Sequence, residues 1–414
     1  MKFIKSSLWT GISVGAKTIG SVIVNKIIAR FFLPSDFALI SHFQNLMNII
    51  LMIPSDGINK GLVKYLSDKG LTENEYTKYL GTAILLNLIV FIIAAIGLVI
   101  KYDYLESLFI TGNISPRLWM VLFLGVIVIN LVSYFSFSIL LSAQKIKTYV
   151  LLTTLSTLLL VGLLYVISLF KNFSAVLLLL GAGPALLFFL SIYIALKDLT
   201  YKFRFHFSLG AIKDLSGFIL MAASMVLFAR VVEFVVRIIA FNEFSVYDTG
   251  LWQAVVKFSD YYAIACTSIL SVAFYPKASE LMHRQLALKK FVWHVLIVVT
   301  PFAVITLAFI YFFKSEILYF FFDESFVAGA YLFDFQVVGD LFKVYSFVLA
   351  FLLSAQARTW MFICIQALSA AVYLVSIYLL IPVFGLEGFS MAHAVRFLIY
   401  LLVLVYIQRK LLFS

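Results

Sequence analysis

The stretch SLWTGISVGAKTIGSVIVNKIIARFF, from Ser7 to Phe32, is long and apolar enough to cross a bilayer, yet it carries Lys17 and Lys26 inside the crossing. A cation at the centre of a membrane helix costs about 2.5–3.5 kcal/mol on insertion scales, so it faces a bundle interior or a wet cavity rather than lipid. The chain must therefore build further helices around the first, and the inside of that bundle must want positive charge. Lys17 lies near mid-depth, whereas Lys26 is close enough to the outer end to snorkel. Nine positions apart, the two lysines point to opposite helix faces.

The rest of the chain supplies those helices. Of 414 residues, 64% are hydrophobic and 12% charged, and the mean hydropathy is +1.08; soluble proteins carry about 25% charged residues. A membrane helix needs about 20 apolar residues, whereas barrel strands alternate over about 10. The apolar runs here have helical length. Bounded by polar or Gly/Pro punctuation, about twelve spans fall at 8–30, 37–57, 80–101, 117–142, 148–170, 175–196, 216–240, 248–275, 291–313, 331–354, 361–382 and 388–407. The expected fold is an all-α integral membrane protein.

The second span is unusually polar, with Gln44, Asn45, Asn48 and Pro54. The connection from Ile58 to Tyr79 reads as an amphipathic interfacial helix, with Leu62, Val63, Tyr65 and Leu66 set against Lys60, Lys64 and Lys69. The connection from Lys197 to Leu215 contains YKFRFHF, Tyr201 to Phe207, an interfacial anchor or a collecting surface for anionic headgroups. It divides the spans six and six, into lobes 1–200 and 201–414. Gly181-Ala-Gly-Pro184 and Pro301 should kink their helices.

The start, MKFIKSSLW, is basic like a signal peptide, but Lys17 interrupts the apolar run and no small-residue cleavage site follows, so it reads as a retained helix. The net charge of +11 is mostly topological. With a cytoplasmic N-terminus, nearly all lysines and arginines outside the spans fall on the cytoplasmic side, which predicts an even span count and both termini inside. Nucleic-acid binding is not needed to explain the charge. Cys266 and Cys364 lie within apolar runs and act as small hydrophobes.

Seven cations lie inside spans: Lys17, Lys26, Arg230, Arg237, Lys257, Lys343 and Arg396. Three carboxylates face them: Glu233, Asp260 and Asp340. Buried charges demand partners, so the surplus calls for an anion, deep water or snorkelling. Arg230, Glu233 and Arg237 share a face of the seventh span, as do Gln253, Lys257 and Asp260 on the eighth and Gln336, Asp340 and Lys343 on the tenth. Pairing within each helix is the simplest account of the stripes, though Arg237 finds no partner on its own helix. His393 shares a face with Arg396, as a packing residue. No metal-ligand cluster, P-loop, nucleophile elbow or dinucleotide fingerprint is present, so neither an enzyme nor a cofactor is expected.

Four stretches and the placement of two lysines carry a resemblance. IKSSLWT with Lys17 and Lys26, GINKGLVKYL from Gly57 to Leu66, GLWQAVVKFSDYY from Gly250 to Tyr262, and FQVVGDLFKV from Phe335 to Val344 are similar to the Wzx-type lipid-linked oligosaccharide flippases of the MOP exporter superfamily. The resemblance implies a MATE-like fold of two six-helix lobes around a cavity that opens alternately to either side. It implies a cargo of undecaprenyl-pyrophosphate bearing an O-antigen or enterobacterial common antigen repeat unit. That cargo would be moved across the bacterial inner membrane beside a polymerase and chain-length regulator of the same pathway. It also carries over Lys17, Lys26, Arg237, Asp260, Asp340 and Lys343; Arg230, Glu233, Lys257 and Arg396 rest on their own position. A multidrug exporter of the same fold, or a membrane polymerase or glycosyltransferase, is the alternative.

Overall fold

The computed structural model describes residues 2–68, 70–110, 114–197, 199, 201, 205–270, 274–281, 284–356 and 359–413. Lys202, Phe203 and Arg204 of the YKFRFHF stretch, and Lys69 of the expected interfacial helix, lie outside the described residues. The described residues are helical, with connecting turns. The long helices are α1 (Lys2–Phe31), α2 (Pro34–Leu66), α3 (Glu73–Ile100), α4 (Pro116–Ser142), α5 (Ile146–Leu169) and α6 (Phe173–Lys197). They continue with α7 (Leu209–Glu243), α8 (Val246–Ile269), α9 (Gln285–Phe312), α10 (Phe333–Ala355), α11 (Thr359–Phe384) and α12 (Glu387–Phe413). Among the described residues, ten stretches are long and apolar enough to cross a membrane. The charge-bearing α1 and α8, at 30 and 24 residues, stand outside those ten. This is a multi-pass membrane protein.

The reading of Ile58 to Tyr79 as an interfacial helix does not hold. The second span runs on to Leu66 as one helical stretch of 33 residues. Proline lacks the N–H that an α-helix needs and normally breaks it. Here Pro54 is absorbed in a π-helical turn, Ile53–Asn59, after which the α-helix resumes at Lys60. Gly57 and Gly61 hold this stretch against α7. A Cβ on Gly57 would lie 3.1 Å from the Ile219 Cα, and one on Gly61 would lie 2.7 Å from a Leu215 methyl. That close approach buries Leu62 and Leu66, which the interfacial reading had placed in the headgroup layer.

By contacts the chain forms two compact units, Met1–Phe31 with Leu39–Phe234, and Phe32–Ala38 with Val235–Ser414. In the first unit Phe43, Phe109, Trp119 and Phe123 form a buried aromatic block. The Trp119 indole donates to the Ser174 carbonyl at 3.0 Å, and the Ser174 hydroxyl to the Phe109 carbonyl at 3.1 Å. The expected break in α6 is present: the α-helix stops at Ala182, a 3-10 turn covers Gly183–Ala185, and the α-helix resumes at Phe188. Inside a bilayer an interrupted backbone must find partners within the protein. Here the Asn130 amide donates to the Gly181 carbonyl at 2.9 Å.

In the second unit α12 packs along α10 and α11, and α9 packs on α10. Leu288, Val292, Val348, Leu352 and Leu404 form part of its core. α9 remains helical through Pro301. The first turn of α2 is anchored here, with the Phe37 ring edge-on to Phe322 and Phe326 at 5.5 and 5.4 Å. Gly250 makes that anchoring possible, because a Cβ at this position would lie 1.8 Å from the Pro34 carbonyl oxygen.

Backbone cannot move aside as a flexible side chain can, and overpacking costs about 1–3 kcal/mol. Gly250→Ala should lower the thermal unfolding midpoint in detergent. Gly97→Ala, where a Cβ meets nothing within 4 Å, should leave it unchanged.

Candidate functional site

Two of the sequence stretches singled out above meet in the second unit. α8 contributes Ser259, Asp260 and Tyr262, α10 contributes Gln336, Gly339, Asp340 and Lys343, and α12 contributes His393. Their centre is the Asp340 carboxylate, which has no exposed surface. It accepts hydrogen bonds from the Ser259 hydroxyl at 2.7 Å and from the Tyr262 hydroxyl, and pairs with His393 Nε2 at 3.0 Å. Lys343 Nζ stands 3.9 Å from Asp340 and 3.7 Å from Asp260, bridging the two carboxylates. Gln336 donates to the Ser259 hydroxyl at 3.3 Å. A Cβ on Gly339 would lie 2.4 Å from the His393 ring and 2.9 Å from the Ala394 Cα, so the glycine lets α10 come close enough to α12 for the Asp340–His393 contact.

The other expected site residues are distributed. Arg237, 7% exposed, donates from Nε to the Gln253 side-chain oxygen at 2.8 Å. Arg396 donates to the Ser369 hydroxyl at 2.8 Å and lies over the rings of Tyr373 and Phe397, 5.0 and 5.2 Å from their centroids. Lys257 is partly buried on α8. In the first unit Arg230 pairs with Glu233 at 3.0 Å, as their spacing suggests. Arg230 sits in a second π-helical turn, Val226–Val231, and its carbonyl accepts from the Asn45 amide at 3.0 Å. Lys26 is partly buried on α1, and Lys17 is exposed. The Lys17 amine donates to the Tyr149 hydroxyl at 3.3 Å, 5.5 Å from that ring's centroid.

Lys17 also lines a cavity of about 560 Å³ within the first unit, together with Asp56, Asn59 and Lys60 of α2, Tyr134 of α4 and Tyr149 of α5. Asp56 and Lys60 form an ion pair there at 2.5 Å. Sequence reasoning missed this lining, because the π turn that presents Asp56 and Asn59 leaves no mark in helical spacing. It also missed Ser259 and Tyr262, which carry no charge to betray them. Asp260, three residues from Lys257, pairs with Lys343 of another helix. Among the described residues no group of three or more His, Cys, Asp or Glu side chains is arranged to hold a metal.

No family model matches the chain. It is similar to the lipid III flippases of Escherichia coli K12 and of Shigella flexneri, each 25% identical over 419 residues, covering 97% of this chain and 96% of the relative. The fold aligns with an inward-facing multidrug resistance MATE family transporter of the MOP superfamily at a TM-score of 0.74, with 13% identity, over 95% of this chain and 94% of that one. The fold is the one seen in that transporter. It also aligns with the lipid II flippase MurJ in an inward closed conformation, at a TM-score of 0.72 and 14% identity, over 98% of this chain and 87% of MurJ. The resemblance to flippases of the MOP superfamily and the expected all-α, MATE-like architecture therefore hold. Within this fold Gln336, Gly339, Asp340 and Lys343 all take part in contacts of the second unit.

Removing one member of a buried, paired set of charges leaves the others uncompensated and costs about 3–5 kcal/mol, whereas an exposed pair contributes about 1 kcal/mol or less. Asp340→Ala should therefore lower stability by roughly the larger amount. Asp260→Ala, whose side chain is 55% exposed, should lower it by the smaller. Chemical unfolding of the two variants in mixed micelles gives the comparison.

Proposed function

We propose that this protein is a flippase, carrying an undecaprenyl-pyrophosphate-linked oligosaccharide from the cytoplasmic to the periplasmic leaflet of a bacterial inner membrane by alternating access. It is a transporter, with no bond made or broken in the cargo. Similarity to lipid III flippases over nearly the whole chain supports the reading. The observation that carries it is Lys17: an exposed amine within a membrane-length helix, bordering a cavity, with no carboxylate partner among the described residues. A pyrophosphate brings about two negative charges and strong acceptor oxygens, the partner such an amine lacks. Lys26, Arg230, Lys257, Lys343 and Arg396 are the further cations along the cargo's way, with Glu233, Asp260 and Asp340 as their ion-pair partners. Arg237, which donates to Gln253, is a further cargo-binding cation in this reading. Lobes 1–200 and 201–414, cytoplasmic termini, and a polymerase and chain-length regulator as neighbours belong to the same reading.

The rival reading, a multidrug exporter, draws on the MATE neighbours, which share the fold at 13% identity or less in the alignments with the inward-facing transporter and two other MATE structures. A site for organic cations needs carboxylates free to receive them. Here Asp56 is paired with Lys60, Glu233 with Arg230, Asp260 with Lys343, and Asp340 with His393 and Lys343. An anionic cargo suits that arrangement better.

A charge-assisted contact is worth about 1.5–3 kcal/mol, roughly ten- to hundredfold in affinity. Lys17→Ala should weaken binding of undecaprenyl pyrophosphate to the protein in nanodiscs by that factor while leaving the unfolding midpoint unchanged. Unaltered affinity in the folded variant would remove Lys17 from the site.

A further inference from the structure

The end of the second unit where α9 begins and α12 finishes concentrates positive charge away from the site described above. The start of α9 carries Lys289 and Lys290, and the end of α12 carries Arg409 and Lys410. No acidic residue lies on α9, and on α12 the only one, Glu387, stands at the opposite end. The Trp293 indole donates to the Leu412 carbonyl at 3.0 Å, which ties the two helices together here. Lys289 and Lys290 precede Trp293 by four and three residues, and Arg409 and Lys410 precede Leu412 by three and two. All four cations therefore lie about one turn from that bond.

Both helices repeat one pattern toward this end. On α9, Ile297, Trp293 and Lys290 share an exposed face, and on α12 Leu402, Tyr406 and Arg409 do the same. Each stripe passes from an aliphatic side chain through an aromatic one to a cation, and the Arg409 guanidinium lies 4.1 Å from the Tyr406 ring centroid. Aliphatic side chains suit the hydrocarbon, tryptophan and tyrosine the headgroup level, and long cations the water beyond. The order is that of an amphiphile read from acyl chain to phosphate. Positive charge at a helix end also orients a membrane chain, but orientation needs neither an indole joining the two basic ends nor matched stripes beneath them. A zwitterionic headgroup would bring its own ammonium to four cations, and a free phosphate would leave the apolar stripes uncovered. We propose that α9 and α12 form a binding site for an anionic phospholipid of the surrounding leaflet, with its phosphate at Lys289, Lys290, Arg409 and Lys410 and its acyl chains along Ile297 and Leu402. Basic pockets between membrane helices hold such headgroups, and each lysine or arginine near the surface contributes about fivefold in affinity. In the orientation proposed above the leaflet is the cytoplasmic one; the site itself does not depend on the flippase reading.

The test titrates the full-length protein, delipidated in mild detergent, with dioleoylphosphatidylglycerol or with zwitterionic dioleoylphosphatidylethanolamine, and reads bound lipid by native mass spectrometry. The parent should bind phosphatidylglycerol at least tenfold more tightly. Lys289→Gln with Lys290→Gln, and separately Arg409→Gln with Lys410→Gln, should each bring that preference below threefold. Trp293→Phe, which keeps every charge and removes the bond to Leu412, should at least halve it. Lys145→Gln with Lys147→Gln, exposed in the first unit, should leave it unchanged. A parent without preference, a preference that survives both charge variants, or an equal fall in the first-unit control would overturn the site. So would an unchanged preference in the Trp293→Phe protein, since a plain charged surface needs no indole. Displacement of phosphatidylglycerol by an equal concentration of inorganic phosphate would assign the cations to a free anion and refute the lipid.

Discussion

A carboxylate with no exposed surface is an expensive object in a chain built for a bilayer, and the second unit is arranged around making one tolerable. Asp340 is held by a serine and a tyrosine hydroxyl from α8, an imidazole from α12 and a lysine one turn along its own helix. Three helices must therefore keep their depth and rotation relative to one another, since a displacement that frees any one partner strands a buried charge. Gly339 permits the close approach of α10 to α12, and the hydrophobic cluster at Val348, Leu352 and Leu404 locks the same pair of helices further along. Packing and charge thus fix one geometry.

The first unit solves a different problem. Its polar groups surround space rather than a buried ion, and the space exists because α2 does not break at Pro54. The π turn carries Asp56 to the cavity, and Gly57 and Gly61 brace it against α7. The break in α6 at Gly183-Pro184 borders the same cavity, and its loosened backbone is steadied by Asn130. Irregular backbone at membrane depth is tolerated where it is buried in protein or lines a cavity, and both irregularities meet that condition. An exposed lysine beside such a cavity ties the local structure to the anionic, sugar-bearing cargo proposed here.

Most of the helix plan was legible in the sequence, because length and punctuation decide a membrane helix almost alone: the run expected at 117–142 is the helix Pro116–Ser142, and that at 148–170 is Ile146–Leu169. The second span was misjudged for a physical reason. Proline and a cluster of amides look like an ending, and only the π hydrogen-bond pattern, with glycines pressed on a helix far along the chain, turns them into a continuation. Helical spacing found the Arg230–Glu233 pair and the Asp340–Lys343 pair, both local. It did not reveal that Lys343 also reaches Asp260, or that Ser259, Tyr262 and His393 converge on Asp340. Spacing tells which residues share a face; which neighbouring helix that face meets is decided by packing.

The central claim, that the surplus cations and the cavity serve a pyrophosphate-linked glycan, is tested most directly by native mass spectrometry of the protein purified from its own membrane in mild detergent. The account predicts a bound species with the mass of a polyprenyl pyrophosphate bearing sugars, reduced on the Lys17→Ala protein. Ordinary phospholipids alone on the parent protein, from membranes in which the glycolipid is abundant, would contradict it.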